Sequence, residues 1–144
     1  MRGIAVTLAP GLKVSFSVDG EAKFPPAAAP RFVDNLWQRT CFEVFAARNG
    51  APEYREFNLS PSGEYAAYEF LSYRDGMTPL PVQPRIRFSG TMLEATIPLE
   101  RGPWRVGLSA VIEEDDGTVS YWALHHPPGR PDFHHPDAFA LKLP

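Results

Sequence analysis

The chain is predicted to be all-β, a two-sheet antiparallel β-sandwich with little or no helix. Three observations lead there. Apolar residues recur with a period of two, the spacing at which side chains share one face of a strand. Turn-forming residues punctuate the pattern every 8–12 positions or so, as in sandwiches and barrels. Sixteen prolines are spread along the 144 residues, about twice ordinary usage, and such spacing interrupts long helices while tolerating short strands and turns.

Taken in order, Ile4, Val6 and Leu8 alternate with small or polar residues, and Val14, Phe16 and Val18 do so up to an Asp19-Gly20 turn. RFVDNLWQ (31–38) has room for a single helical turn. TCFEVFAA (40–47) and YREFNLS (54–60) flank an Asn49-Gly50 turn and read as a hairpin. Pro61-Ser62-Gly63 turns the chain into EYAAYEFLSY. RIRFS, TMLEATIPL, the alternating series Trp104, Val106, Leu108, Ala110, Ile112, then VSYWAL and AFALKL complete the strands, with Asp115-Asp116-Gly117 as another hairpin turn. There is neither an internal repeat nor a linker, so residues 1–144 read as one domain, a sandwich of immunoglobulin or jelly-roll type.

Composition narrows the function. The formal net charge of −3 lacks the clustered basic footprint that nucleic acid or an anionic membrane requires. No apolar run approaches the roughly 20 residues of a membrane span. The one cysteine, Cys41, forms no internal disulfide and suits a reducing compartment. Ala27-Ala28-Ala29 after Arg2 resembles a signal-peptidase site, but Lys13, Asp19, Glu21 and Lys23 stand where an uncharged segment belongs, and Pro10-Gly11 breaks the nearest apolar run. A cytoplasmic location is the expectation.

One strand face departs from ordinary core. If LWQRTCFEVF (36–45) is extended from Trp37, one side carries Thr40, Phe42, Val44 and Ala46, a core stripe. The other carries Trp37, Arg39, Cys41, Glu43 and Phe45. On the next strand Tyr54, Glu56, Asn58 and Ser60 share a face opposite Phe57 and Leu59. Hairpin pairing sets the two polar faces side by side. Such a mixture suits a sugar, whose C–H faces stack on aromatic rings and whose hydroxyls need paired donors and acceptors. The plainer alternative is one sheet face turned to water.

LWQRTCFEVF, YREFNLSPSGEY (54–65) and YWALHHPPGRPDFHHPDAFAL (121–141) together resemble the bacterial DOMON-like domains, relatives of the family 9 carbohydrate-binding modules. The resemblance runs from about residue 34 to the C-terminus, and Leu-Trp followed by Cys-x-Glu-Val-Phe is its most specific part. It implies a β-sandwich that binds a sugar or, in cytochrome members, haem. It further implies that Trp37 stacks on the sugar ring, that Glu43 accepts its hydroxyls, and more loosely that Asn58 assists. The acidic residues usual between that Trp and Glu are Arg39 and Thr40 here. For a second stacking aromatic the candidates are Trp122 and Phe133.

All four histidines lie in HHPPGRPDFHHP (125–136). Adjacent strand residues point oppositely, so each pair supplies at most one metal ligand unless it sits in a turn. One histidine from each pair with Asp132 or Asp137 makes a conceivable three-ligand set, at a spacing unlike known zinc motifs. Haem would need Met77 or Met92 paired with His126 or His134. The remaining reading is a loop stiffened by Pro127, Pro128, Pro131 and Pro136 that presents His126, Phe133 or His134 to a ligand, or holds its histidines in structural hydrogen bonds.

Catalysis is not expected: Glu43 and Glu56 have the chemistry of a glycosidase pair, but the strand pattern predicts no cleft between them. Cys41 reads as a buried, inert thiol. The expectation is therefore a non-catalytic module that binds a small sugar or glycoconjugate without a cofactor, through Trp37, Arg39, Glu43 and Asn58, with His126 and His134 closing one edge. Haem or divalent-metal binding by the histidines, and a protein-interaction module using exposed aromatics, are the alternatives.

Overall fold

The computed structural model describes residues 4–9, 12–20, 22–100, 102–127 and 129–143, the first stretch as backbone only. Arg2, Pro10, Gly11, Glu21 and Pro128 lie outside the described residues. The fold is the predicted sandwich of two antiparallel sheets. β1 (Ile4–Ala9) and β2 (Lys13–Val18) form a hairpin. β3 (Cys41–Arg48), β4 (Tyr54–Leu59), β5 (Tyr65–Phe70) and β6 (Thr78–Pro79) follow as a meander. β7 (Arg85–Ser89) and β8 (Met92–Thr96) return to the first sheet, whose order is β1-β2-β8-β7. β9 (Trp104–Glu113), β10 (Val119–Ala123) and β11 (Leu141–Leu143) complete the larger sheet, ordered β10-β9-β3-β4-β5-β6 with β11 also paired to β9. Among the described residues, no helix is long and apolar enough to cross a membrane.

Period-two patterning explains how the sheets meet. Phe42, Val44 and Ala46 of β3, with Phe57 and Leu59 of β4 and Val106, Leu108, Ala110 and Ile112 of β9, face the smaller sheet. They pack on Val14, Phe16, Val18, Leu93 and Ala95. Phe16 and Phe42 sit 4.9 Å apart between ring centroids. Fully burying one such side chain stabilises by about 1.5–3 kcal/mol, so this layer supplies most of the driving force. The β9–β10 hairpin turns at Gly117, whose φ of 86° is one that a side chain disfavours.

Two local expectations change. RFVDNLWQ does contain a single turn, a 3-10 turn at Leu36–Gln38, entered from Asn35 in the left-handed conformation and closed by Arg39 N–H donating to Leu36 O at 3.2 Å. β3 therefore starts at Cys41 and not at Trp37, and the strict alternation of Trp37 and Arg39 with Glu43 does not hold. AFALKL is strand only over its last three described residues, because Pro136–Ala138 form a second 3-10 turn.

That second turn lies on the outer face of the larger sheet, away from the smaller one. It fits because β9 carries Gly107 there: a Cβ at that position would meet Ala138 O at 2.9 Å and the Phe139 ring at 3.1 Å. Phe139 and Ala138 join Phe45, Ala47, Tyr54, Ala66, Tyr68 and Phe70 in a second apolar cluster on this face. The C-terminal segment thus covers part of the outer face and leaves the rest as a hollow.

Candidate functional site

Register places the polar residues. On the outer face Glu43 pairs with Asn58 on β4 and with Ser109 on β9, while Phe45 pairs with Glu56 and Glu56 with Tyr68. Glu43 and Glu56 are therefore diagonal neighbours on adjacent strands, a separation of about 7 Å. These side chains form the floor of a hollow of about 960 Å³. Trp37, Asp34 and Asn35 stand on one side. Arg74 and Met77 come from the β5–β6 connection, Arg130, Pro131, Phe133 and His134 from the C-terminal loop, and Val111 and Tyr121 from β9 and β10.

The floor is almost sealed. Glu43 is 4% exposed, Asn58 1% and Glu56 7%. Burial pushes the Glu43 carboxyl well above the usual range, the nearby Glu56 carboxylate adds to the rise, and the adjoining Ser109 hydroxyl offsets part of it. Burial also raises Glu56, to about 7, against the opposing pull of the Asn58 side chain and Arg74. Two carboxyls that close in one poorly hydrated site resist joint ionisation. Asn58 Oδ1 and Ser109 Oγ are buried without a hydrogen-bond partner. Cys41, completely buried beneath, has its thiol pushed up first by burial and then by the two glutamates, which matches an inert thiol.

The wall over Glu56 is a hydrogen-bonded chain. Arg74 N–H donates to Tyr54 Oη at 3.0 Å, and Tyr54 Oη lies 2.8 Å from His134 Nδ1. His134 Nε2 lies 3.4 Å from Glu56 Oε1, so the tautomer protonated on Nε2 lets Tyr54 Oη donate to Nδ1 while Glu56 accepts. Burial, reinforced by Arg74, pushes the imidazole down to about 4, so His134 is neutral at physiological pH. Phe45 and Phe70 hold its ring edge-on at centroid distances of 5.0 and 5.1 Å. Asp132 pins the loop, accepting from Arg74 Nη2 at 2.9 Å, from His134 N–H at 3.2 Å, and from Tyr73 Oη.

Several sequence expectations meet here and others do not. Trp37, Glu43, Asn58 and His134 all line the hollow, Trp37 with 49% of its surface free. Arg39 does not: the 3-10 turn swings its side chain outward, 71% exposed and 3.9 Å from Glu113. His126 does not line it either. It stands exposed, its ring 6.0 Å from that of Phe133. Of the two candidate stacking aromatics, Phe133 faces the hollow. Trp122 instead packs toward the sandwich core, its Nε1 donating to Ser120 Oγ at 2.9 Å. Tyr121, its neighbour, takes the outward position because β10 alternates. Contrary to expectation, a hollow does unite Glu43 and Glu56, since the C-terminal loop and the β5–β6 connection rise around a floor that strand patterning alone leaves flat.

The histidines separate. His135 Nδ1 accepts from Asp137 N–H at 3.1 Å and caps the second 3-10 turn, while His125 is exposed. Among the described residues, no three His, Cys, Asp or Glu side chains converge as metal ligands. Met92 lies on β8 of the other sheet. Met77 shares the hollow with His134, but both imidazole nitrogens already face protein groups, so neither is directed into the cavity as an axial ligand.

Arg74, Tyr68, Asp34 and Tyr121 are lining residues that sequence reading missed. Tyr121 was within reach of strand register, which aligns it with Val111 and through it with Cys41. Arg74 and Asp34 lie in connections whose paths carry no periodic signal. Comparison with protein-family models, curated proteins and solved structures finds no match for this chain.

Proposed function

We propose that this domain binds a small sugar or glycoconjugate in the hollow on the outer face of the larger sheet. The observation that carries the reading is a sealed acceptor floor, Glu43 and Asn58, beneath the half-exposed indole of Trp37 in a cavity of about 960 Å³. That volume suits a mono- or disaccharide-sized ligand. Trp37 supplies an apolar face for ring C–H groups, and Phe133 and Tyr121 are further aromatic rings in the lining. Glu43, Asn58 Oδ1 and Glu56 accept from hydroxyls, and Arg74 stands by as a donor. The resemblance of the Trp37–Glu43 spacing to DOMON-like and family 9 carbohydrate-binding domains supports the same reading, with the hydrogen-bonding role expected of Arg39 passing to Arg74 and the edge role expected of His126 and His134 resting on His134. A soluble sugar or nucleotide sugar suits the cytoplasmic location proposed with it.

The test is titration calorimetry with a panel of mono- and disaccharides, repeated on Trp37→Ala. Saturable binding that weakens by roughly 1–3 kcal/mol in the variant, the scale of one large apolar contact, supports the proposal. No heat with any sugar, or binding indifferent to Trp37, overturns it.

A further inference from the structure

The hollow holds acceptors in excess. Its floor and wall bear three carboxyls, Asp34, Glu43 and Glu56, together with the buried amide oxygen of Asn58, which has no partner. Asp34 accepts from Tyr68 Oη and Glu56 Oε1 lies 3.4 Å from His134 Nε2, which leaves Glu43, the second Glu56 oxygen and the amide oxygen of Asn58 to the ligand space. Of the two arginines in the lining, Arg74 gives its Nη2 to Asp132 at 2.9 Å, and Arg130 belongs to the exposed rim. A hydroxyl can donate to only one of these acceptors, because it brings lone pairs as well as a single proton. An ammonium brings three donors and no acceptor, and its charge favours the ionised form of glutamates that burial alone holds protonated. The surrounding rings of Trp37, Tyr68, Tyr121 and Phe133 add faces attractive to a cation.

We propose that the ligand of this hollow carries a protonated primary amine seated over Glu43, Glu56 and Asn58, so that the sugar class it takes is amino sugars with a free amine. This rests on the sugar reading above and sharpens it. In the bound state the ammonium spans the diagonal between the two glutamates and donates to Asn58 Oδ1, while the ring stacks on Trp37.

Calorimetry at pH 6.5 with matched sets decides it: glucose, galactose and mannose, each beside its 2-amino-2-deoxy and its 2-acetamido-2-deoxy form. At least one free amine is expected to bind about tenfold or more tighter than both its hydroxyl parent and its acetylated form, which has the same nitrogen without charge. Glu43→Gln and Glu56→Gln, two independent variants, are each expected to shrink that ratio toward one. A hydroxyl or acetamido form binding as tightly as its free amine overturns the inference while leaving the sugar reading standing, as does a ratio untouched by either folded variant. Failure of every sugar in the sets overturns the inference, and failure of the wider mono- and disaccharide panel overturns the sugar reading as well.

Discussion

The two faces of the larger sheet are built from alternate residues of the same strands and are buried to nearly the same degree, yet they do opposite work. The inner face places Phe42, Val44, Phe57, Leu59 and Ile112 against the smaller sheet, and each of these is apolar. The outer face buries Glu43, Glu56, Asn58 and Ser109, with an amide oxygen and a hydroxyl lacking partners. Burying apolar surface stabilises the fold, whereas burying polar atoms without partners costs it. The difference shows where this molecule gives up stability: in the hollow on the outer face.

The sharpest way to break the comparison is to damage the inner face. Phe42→Ala removes a completely buried ring and is expected to lower unfolding free energy by about 3–5 kcal/mol, measured by urea denaturation. Ligand affinity per folded molecule should stay unchanged. A loss of less than about 1 kcal/mol would mean that the inner layer does not carry the fold.

Next comes the pH response of the outer face. Glu56 has its folded value raised to about 7, so its contribution is fully present below its unfolded value and is lost as pH rises through about 7, a swing on the order of 3 kcal/mol. His134 has its folded value lowered to about 4, so the folded state binds fewer protons than the unfolded one up to about pH 6.5, and its stability contribution grows over that window. Between about pH 4.5 and 6.5 the two slopes cancel: folding gives Glu56 a proton and takes one from His134. Glu43, raised in the same direction as Glu56, also takes up a proton on folding above about pH 4.5, so the parent as a whole loses stability as pH rises across that window. Glu56→Gln should therefore melt at higher temperature than the parent at pH 8, and should hold its stability roughly level between about pH 4.5 and 6.5, where Glu43 and His134 oppose each other and the parent loses stability. Parallel melting profiles for the two proteins across pH 4–8 would refute the shared site.

A smaller effect separates binding from folding. Trp37→Ala, at a half-exposed turn position, is expected to shift unfolding free energy by no more than about 0.5 kcal/mol while costing the ligand 1–3 kcal/mol, roughly as much as one large apolar contact. Comparable losses in both would move Trp37 from the ligand to the fold.

The smallest is the wall. Tyr54→Phe removes the hydroxyl that joins Arg74 to His134 and should cost about 1 kcal/mol, with faster amide hydrogen exchange at residues 132–135. Unchanged exchange there would show that Asp132 alone holds the loop.

Much of this was legible beforehand, and the reason is local. Period-two alternation is a property of neighbouring residues, so the core stripe of TCFEVFAA could be read directly, as could the hairpin that brings Glu43 beside Asn58. Trp37 does line the hollow with Glu43, though by a path the strand pattern does not give. A strand running from Trp37 would have aligned it with Glu43, but a left-handed Asn35 and a 3-10 turn bring it there by another path. The same turn sent Arg39 outward.

What the amino-acid order determined by itself was the sandwich, its inner face and the hairpin that sets the polar faces of two neighbouring strands side by side, because strand alternation and hairpin turns act over a few residues. Only tertiary structure decided that Glu56 and Glu43 share a hollow, that His134 and not His126 closes it, and that Arg74 stands beside them. Those outcomes depend on where two long connections come to rest. That in turn depends on contacts between residues far apart in the chain: Asp132 reaching Arg74 and Tyr73, Tyr54 meeting His134, and a missing side chain at Gly107 that lets Ala138 and Phe139 settle on the sheet.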